Sequence, residues 1–360
     1  MTDVRTPRRD LSRAVFAVFV AVFLLRTLGP VWRSGLRPEY PDSFSFLDHA
    51  GVGPWWPSFW FGERPVGTPL VAWLLGRNTG AIVLAQSAGY ALSVAVLGAT
   101  LLRIVANRVI AWIAVVGVAV LAVQPRFALW SLEVLSESLG LTLSLLALAA
   151  WLVQAHSPSR RRLVLAFAVT LAWLLVRDAH AVTVGLVALA CLLSSRSTSD
   201  LARRRLLRVG AVVLVLGVAY VAIAQNVSER NRYPLINTVG LRVLPDEDLT
   251  NDWVARGMPM SDALRERAGS DSWSDGDAFL RDPRLADFRR WADGEGQRDQ
   301  VMSLVLDAPH WLGEMRRDLP ALLTYRFGDY DRYDVGDRLP EGSSWFDLPR
   351  SNTSLALWPA

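Results

Sequence analysis

The sequence predicts an all-α membrane protein with a polar C-terminal region, and three observations support that fold class. The chain of 360 residues is 52% hydrophobic with a mean hydropathy of +0.25, which is more apolar than an ordinary soluble domain of this length. Apolar runs of membrane-helix character recur between residues 11 and 227. The charge is also divided: residues 1–227 contain 21 arginines and 10 acidic residues, whereas residues 228–360 contain 17 arginines and 24 acidic residues.

Seven apolar segments predict about seven transmembrane helices, although several are shorter than the roughly 20 residues that cross a bilayer core. The first is not a cleaved signal peptide, because it lacks a small-residue cleavage pattern and further spans follow it. We therefore expect a transmembrane domain over 1–227 and an extracytoplasmic, mainly helical soluble region over 228–360. The seven segments are 11–29, 80–104, 109–124, 133–155, 163–177, 181–195 and 209–227.

Arginine clusters predict the orientation of the helices. The N-terminus and the connections near 103–108, 156–162 and 196–208 are arginine-rich, and all four fall on one side if every segment crosses. The positive-inside rule places that side in the cytoplasm. The N-terminus is then cytoplasmic, and the long loop 30–79 is extracytoplasmic. The arginines are thus explained by membrane flanks and not by nucleic-acid binding.

The basic residues are all arginine, which together with the many Ala, Val and Leu residues indicates a GC-rich bacterial genome and hence a bacterial plasma membrane. The single cysteine, Cys191, excludes an internal disulfide and a cysteine-based metal site. Tryptophans 253, 273, 291, 311 and 345 predict a folded region, with helix-like runs at 284–306 and 309–326. The ending "SLALWPA" resembles the start of another apolar span, so we expect the chain to be a shortened version of a longer protein.

The stretch "YPDSFSFLD" at 40–48 places two carboxylates, Asp42 and Asp48, among aromatic residues just outside the first span. The nearby tryptophans 55, 56 and 60 are typical of residues at headgroup level. A carboxylate at an apolar boundary loses hydration, and it usually has a partner or a function. Asp42 is therefore the first candidate for chemistry and Asp48 the second.

The turn "RDAH" joins two short apolar segments, so we expect it to be recessed within the membrane. Its Arg177, Asp178 and His180 could form a binding cluster, because arginine binds phosphate with two parallel hydrogen bonds. The alternative is a local Arg–Asp pair that closes a short hairpin. Both interpretations stay open.

Three other charged residues have two interpretations each. Arg64, in "GERPVGTPL", and Arg26, near the outer end of the first span, could bind phosphate or could extend toward headgroups. Glu137, in "SLEVLSES", could orient an arginine or an acceptor. It could equally be a favourable charge at the start of a helix.

The layout of residues 10–240 resembles the GT-C superfamily, on the "Y-x-D-S" stretch of the first outer loop, "GERPVGTPLVAWLL" and "LSESLGLTLSLLALAAWL". These polytopic glycosyltransferases use polyprenyl-phosphate sugars and include protein O-mannosyltransferases and bacterial arabinosyl-type transferases. The resemblance implies an inverting transferase whose acceptor is a cell-envelope glycan, a lipid or a protein. It also implies that an acidic residue early in the first outer loop, Asp42 or else Asp48, is the catalytic base, with Arg64 near the lipid carrier. The second carboxylate could position the acceptor or bind a divalent metal.

Two other functions remain open at this point. A transporter or flippase of a lipid-linked substrate would show an internal repeat and broken helices near the membrane midplane. The sequence contains no convincing repeat, and its charges gather at the outer face. A non-catalytic assembly partner that keeps the fold would tolerate the loss of Asp42.

Overall fold

The computed structural model describes residues 41–324 apart from 124–126, 128, 273–278 and 280. All regular secondary structure in these residues is helical, which confirms the predicted all-α class for this part of the chain. The predicted span 11–29, Arg26 and the residues after 324 lie outside the described part. The chain divides into two compact units, one reaching to Ala224 and the other covering Gln225–Leu323.

The first unit contains nine described α-helices, the last of which runs three residues past the boundary, and a short 3₁₀ turn at Leu129–Leu132. The α-helices are α1 (Pro41–Val52), α2 (Pro57–Trp60), α3 (Gly67–Leu74), α4 (Thr79–Ile104), α5 (Arg108–Ala122), α6 (Ser136–His156), α7 (Arg160–Leu174), α8 (His180–Ser197) and α9 (Leu201–Val227).

Four helices of the described residues, α4, α6, α8 and α9, are long and apolar enough to cross a membrane. Helix α5 is apolar but has only 15 residues, and α7 also has 15. Large apolar side chains lie more than half exposed on the outside of these helices, among them Val109, Ile113, Val182 and Leu216. Such a surface is unusual for a water-soluble protein and is the expected one for helices in lipid.

Two helix starts differ from the sequence prediction. Helix α6 begins at Ser136 and not at 133, because the preceding residues turn and are buried, with Gln86 donating a hydrogen bond to the Leu135 carbonyl at 3.1 Å. Helix α9 begins at Leu201, eight residues before the predicted apolar run. There the Asp200 carboxylate accepts a hydrogen bond from the Ala202 amide at 2.9 Å, so the arginine-rich stretch is already helical.

The long helices pack side by side. Helix α4 contacts α5 and α6, α6 contacts α7, and α7 contacts α8. A buried cluster joins α7, α8 and α9, in which the ring of Phe167 lies directly against Gly210. Small residues let helix backbones approach closely in this way.

The second unit is a small helical domain with its own core. Its α-helices are α10 (Arg232–Thr238), α11 (Glu247–Ala255), α12 (Asp262–Arg265), α13 (Ala286–Asp293), α14 (Glu295–Leu306) and α15 (Ala308–Thr324). Trp253, Phe288 and Trp291 are buried at its centre, and the rings of Trp253 and Trp291 meet edge to face at 6.1 Å. The predicted run 284–306 is divided at Gly294, where the backbone leaves helical geometry.

Candidate functional site

Helix α1 presents three polar residues on one face. Asp42, Ser45 and His49 are spaced three and four residues apart, so they follow one another along one side of the helix. The hydroxyl of Ser45 donates to the Asp42 carbonyl at 2.7 Å. Phe46, on the same side, is buried against Leu135 at the start of α6. The aromatic residue therefore anchors α1, and the polar residues are held in fixed positions.

Arg64, in the loop after α2, forms hydrogen bonds to two of the residues on this face. Its Nη2 donates to Asp42 Oδ1 at 2.6 Å, and its Nε donates to Ser45 Oγ at 2.7 Å. The guanidinium carbon lies 5.0 Å from the centre of the Phe46 ring. Each side chain of the ion pair is only about a quarter exposed, with 25% for Arg64 and 26% for Asp42. The Asp42 carboxylate is thus positioned by an arginine 22 residues away in sequence.

His49 fixes the backbone of the loop. Its Nε2 lies 2.7 Å from the Phe59 carbonyl oxygen, and the Arg64 amide donates to its Nδ1 at 3.3 Å. A carbonyl only accepts and an amide N–H only donates, so this arrangement suits a neutral imidazole with its proton on Nε2. His49 therefore holds Arg64 at the backbone, while Asp42 and Ser45 hold its side chain.

A second cluster forms where the "RDAH" turn meets the start of α6. Arg177 Nη1 lies 3.0 Å from Glu137 Oε1. The ring of His180 stacks on Trp173 with centroids 4.3 Å apart, and its Nδ1 lies 2.8 Å from the Trp173 carbonyl oxygen. Gly140 leaves room for this cluster, since a Cβ there would lie 3.4 Å from His180 and 3.5 Å from Arg177.

The two clusters lie on contacting segments. The amide of Gly67, three residues after Arg64, donates to the carbonyl of Leu175, two residues before Arg177, at 2.8 Å. A side chain at Gly67 would come within 2.8 Å of Val176, so this close approach needs glycine. The structure thereby brings Asp42, Arg64, Glu137 and Arg177, which the sequence predicted separately, to one end of the helical bundle.

Two predicted residues take no part in the two ion pairs of the site. Asp48 is exposed and lies six residues from Asp42, about 240° around the same helix. It is therefore on another face, and the two carboxylates are not placed to share one metal ion. Asp178 is half-buried beside Arg177, but the ion pair of Arg177 is made with Glu137.

The loop between α1 and α3 carries exposed tryptophans. Trp55 is 80% exposed and Trp56 63% exposed. The phenol of Tyr220, near the end of α9, donates to the Trp60 carbonyl at 2.5 Å and fixes the loop to the same end of the bundle. The arginines 160–162 begin α7, whereas the site lies beyond its other end, about 22 Å away for 15 helical residues.

Sequence reasoning missed Ser45 and His49 as partners of Arg64. The signal was the spacing of Asp42, Ser45 and His49, which becomes visible once 41–52 is treated as a helix and not as part of a loop. Among the described residues, no group of three His, Cys, Asp or Glu side chains is close enough together to hold a metal ion. Comparison of the chain with protein-family models, curated proteins and solved structures found no match.

Proposed function

We propose that the protein is an inverting membrane glycosyltransferase that moves a sugar from a polyprenyl-phosphate donor to an acceptor hydroxyl outside the cytoplasm. The observation that carries the proposal is the positioned carboxylate of Asp42. One oxygen is fixed by Arg64, and Oδ2 has no hydrogen-bond partner among the described residues. A positioned carboxylate with one open oxygen suits a general base.

In this reaction Asp42 Oδ2 would take the proton of the acceptor hydroxyl as its oxygen attacks the anomeric carbon. The new C–O bond forms while the bond from that carbon to the phosphate oxygen of the donor breaks. The electron pair leaves with the polyprenyl phosphate, and the configuration at the anomeric carbon inverts.

The departing phosphate gains charge and needs a cation. Arg177 is 40% exposed and paired with Glu137 by one contact, so part of its guanidinium remains accessible for a phosphate. In this proposal Glu137 holds Arg177 in place, and His180 and Asp178 complete the turn that carries it. Arg64 is committed to Asp42 and Ser45, so we assign it to positioning the base.

The proposed membrane layout supports the same function. Seven spans, with 11–29 as the first, would put the arginine-rich connections in the cytoplasm and the Asp42 end outside. A lipid-linked donor in the outer leaflet would then reach the turn at Arg177. We further propose that the protein lies in a bacterial plasma membrane and that residues 228–360 are extracytoplasmic.

The test is sugar transfer in membranes that contain the full chain, with radiolabelled polyprenyl-phosphate sugars from the host. Asp42→Asn keeps the shape and the hydrogen bond from Arg64 but removes the base. Asp48→Asn on the same helix is the matched control. We expect a loss of at least about 100-fold for Asp42→Asn and a change of less than about threefold for Asp48→Asn.

Equal transfer by wild type and Asp42→Asn, at equal protein level, would remove Asp42 as the base. Transfer lost in Asp48→Asn alone would move that role to Asp48. If folded wild-type protein transfers none of the host sugars, the transporter and assembly-partner functions become the better explanations.

A further inference from the structure

A cleft opens at the arginine-rich end of the first unit, between the α6–α7 connection and the α8–α9 connection. Its volume is about 440 Å³, and Ser159, Arg160, Ser199, Asp200 and Arg203 are among the residues that line it. It lies at the opposite end of α7 from the proposed catalytic site and takes no part in the proposed transfer.

The charge around the cleft is strongly positive. Residues 157–162 and 196–208 at this end contain eight arginines and one carboxylate, Asp200. That carboxylate accepts hydrogen bonds from the amides of Ala202 at 2.9 Å and Arg203 at 3.3 Å, so it serves as the cap of α9. None of the eight arginines forms an ion pair within the described residues. The positive charge is therefore available to a ligand. The eight arginines are 160, 161, 162, 196, 203, 204, 205 and 208.

Arg203 provides an independent sign of a missing partner. Its Nε–H is buried and has no hydrogen-bond partner among the described residues. A buried donor without an acceptor is unfavourable, and most such groups in proteins are paired. By contrast, the neighbouring Arg204 donates from Nε and Nη2 to the Thr198 carbonyl, at 2.9 and 2.7 Å, and so shapes the wall of the cleft.

The surroundings of the cleft suit a lipid. Apolar side chains lie exposed close by along the same helices, with Val164 and Leu165 on α7 and Leu193 on α8. An acyl chain could lie beside them while its headgroup enters the cleft. Basic pockets between membrane helices are known to bind anionic headgroups.

We propose that this cleft binds the phosphate of an anionic phospholipid headgroup, held by Arg160 and Arg203. The site requires only that this end of the helices lies at a bilayer surface, and it does not depend on glycosyl transfer. Ser159 and Ser199 offer hydroxyls to the other oxygens of the phosphate or to the headgroup.

The test is a titration of the detergent-purified full chain with phosphatidylglycerol, in which bound lipid is counted by native mass spectrometry. We expect one tightly bound phosphatidylglycerol and no comparable binding of phosphatidylcholine. Arg160→Gln combined with Arg203→Gln should weaken binding by about fivefold for each arginine removed. Arg161→Gln combined with Arg205→Gln removes the same charge outside the lining, and it should weaken binding by less than about twofold for the pair.

If both double variants weaken binding equally, the lipid is held by general surface charge and the site is refuted. Displacement of phosphatidylglycerol by an equal concentration of inorganic phosphate would also refute a lipid site. Should the cleft double variant misfold, Ser199→Glu places a negative charge in the lining at an exposed position and should abolish the tight binding. Unchanged binding in a folded Ser199→Glu protein would contradict the proposal.

Discussion

Arg64 reaches across 22 residues of chain to place Nη2 2.6 Å from Asp42 Oδ1, and the same guanidinium donates through Nε to Ser45. The bond from Nε to Ser45 fixes the direction of the guanidinium, and the bond from Nη2 then orients the Asp42 carboxylate more strictly than a mobile charge would. The relationship predicts that the shape of the Arg64 side chain, and not only its charge, controls the function of Asp42.

Arg64→Lys tests this prediction. Lysine keeps the positive charge but has no planar fork, so it reaches either Asp42 or Ser45 in good geometry. We expect sugar transfer to fall by about tenfold, while stability in detergent changes by less than about 1 kcal/mol because the pair is partly exposed. Transfer rates and denaturant unfolding of the full chain measure the two effects. If the Arg64→Lys variant transfers sugar at the wild-type rate, a positive charge at this position is sufficient to position Asp42.

Gly210→Ala tests the packing between α7 and α9. A Cβ at Gly210 would overlap the ring of the buried Phe167, so the helices must separate or the ring must move. We expect a destabilisation of about 1–3 kcal/mol. Gly117→Ala in α5 is the matched control, because a Cβ there meets nothing within 4 Å. It should be neutral or stabilising by up to about 1 kcal/mol. Denaturant unfolding in one detergent compares the two variants. Equal losses of unfolding free energy would contradict the close contact between Phe167 and Gly210.

Asp307→Ala tests the main ion pair of the second unit. Arg256 donates through Nη1 and Nη2 to the two oxygens of Asp307, at 3.1 and 2.8 Å, and the Asp307 side chain is only 8% exposed. Removal of the carboxylate leaves a largely buried guanidinium without its partner. We expect a loss of about 3 kcal/mol, measured by denaturant unfolding with tryptophan fluorescence. Asp287→Ala removes an exposed pair with Arg290 and should cost less than about 1 kcal/mol. A similar loss of stability in Asp307→Ala and Asp287→Ala would contradict the burial of the Arg256–Asp307 pair.

The lowered pKa of Asp282 predicts how the stability of the second unit depends on acid pH. Hydrogen bonds from the Arg284 side chain, and from its amide, lower the pKa of Asp282 from the ordinary value of 3.8 to about 2. A carboxylate with a lowered pKa contributes its stability fully above 3.8 and loses it as the pH falls toward 2. We therefore expect Asp282→Asn to be less stable than wild type at pH 5 and to approach the wild-type stability as the pH falls through about 2.

Unfolding of the full chain between those pH values, followed by tryptophan fluorescence, measures this difference. Asp262→Asn, at a carboxylate 98% exposed, is the control and should follow the wild-type curve. A pH-independent difference between wild type and Asp282→Asn would contradict the role of the charge.

The sequence alone predicted the long apolar helices described in the first unit, but it assigned the three short helices between residues 41 and 74 to a loop. The apolar runs predicted at 80–104 and 181–195 correspond to Thr79–Ile104 and His180–Ser197. Such runs are readable because burial in lipid is a local property of about 20 consecutive residues. The starts of α6 and α9 were predicted less well, since hydrogen bonds from Gln86 and Asp200 decide them and not the apolar pattern.

Only the tertiary structure decided the site. Asp42, Arg64, Glu137 and Arg177 were each visible as charges near apolar segments, but their pairing was not. Arg177 pairs with Glu137, 40 residues away, and not with its neighbour Asp178. Asp48 was grouped with Asp42 by proximity in sequence, and the helix turns it to another face. Which charges pair depends on how the chain folds between the two residues. The local sequence pattern predicts only the helix or turn on which each charged residue lies.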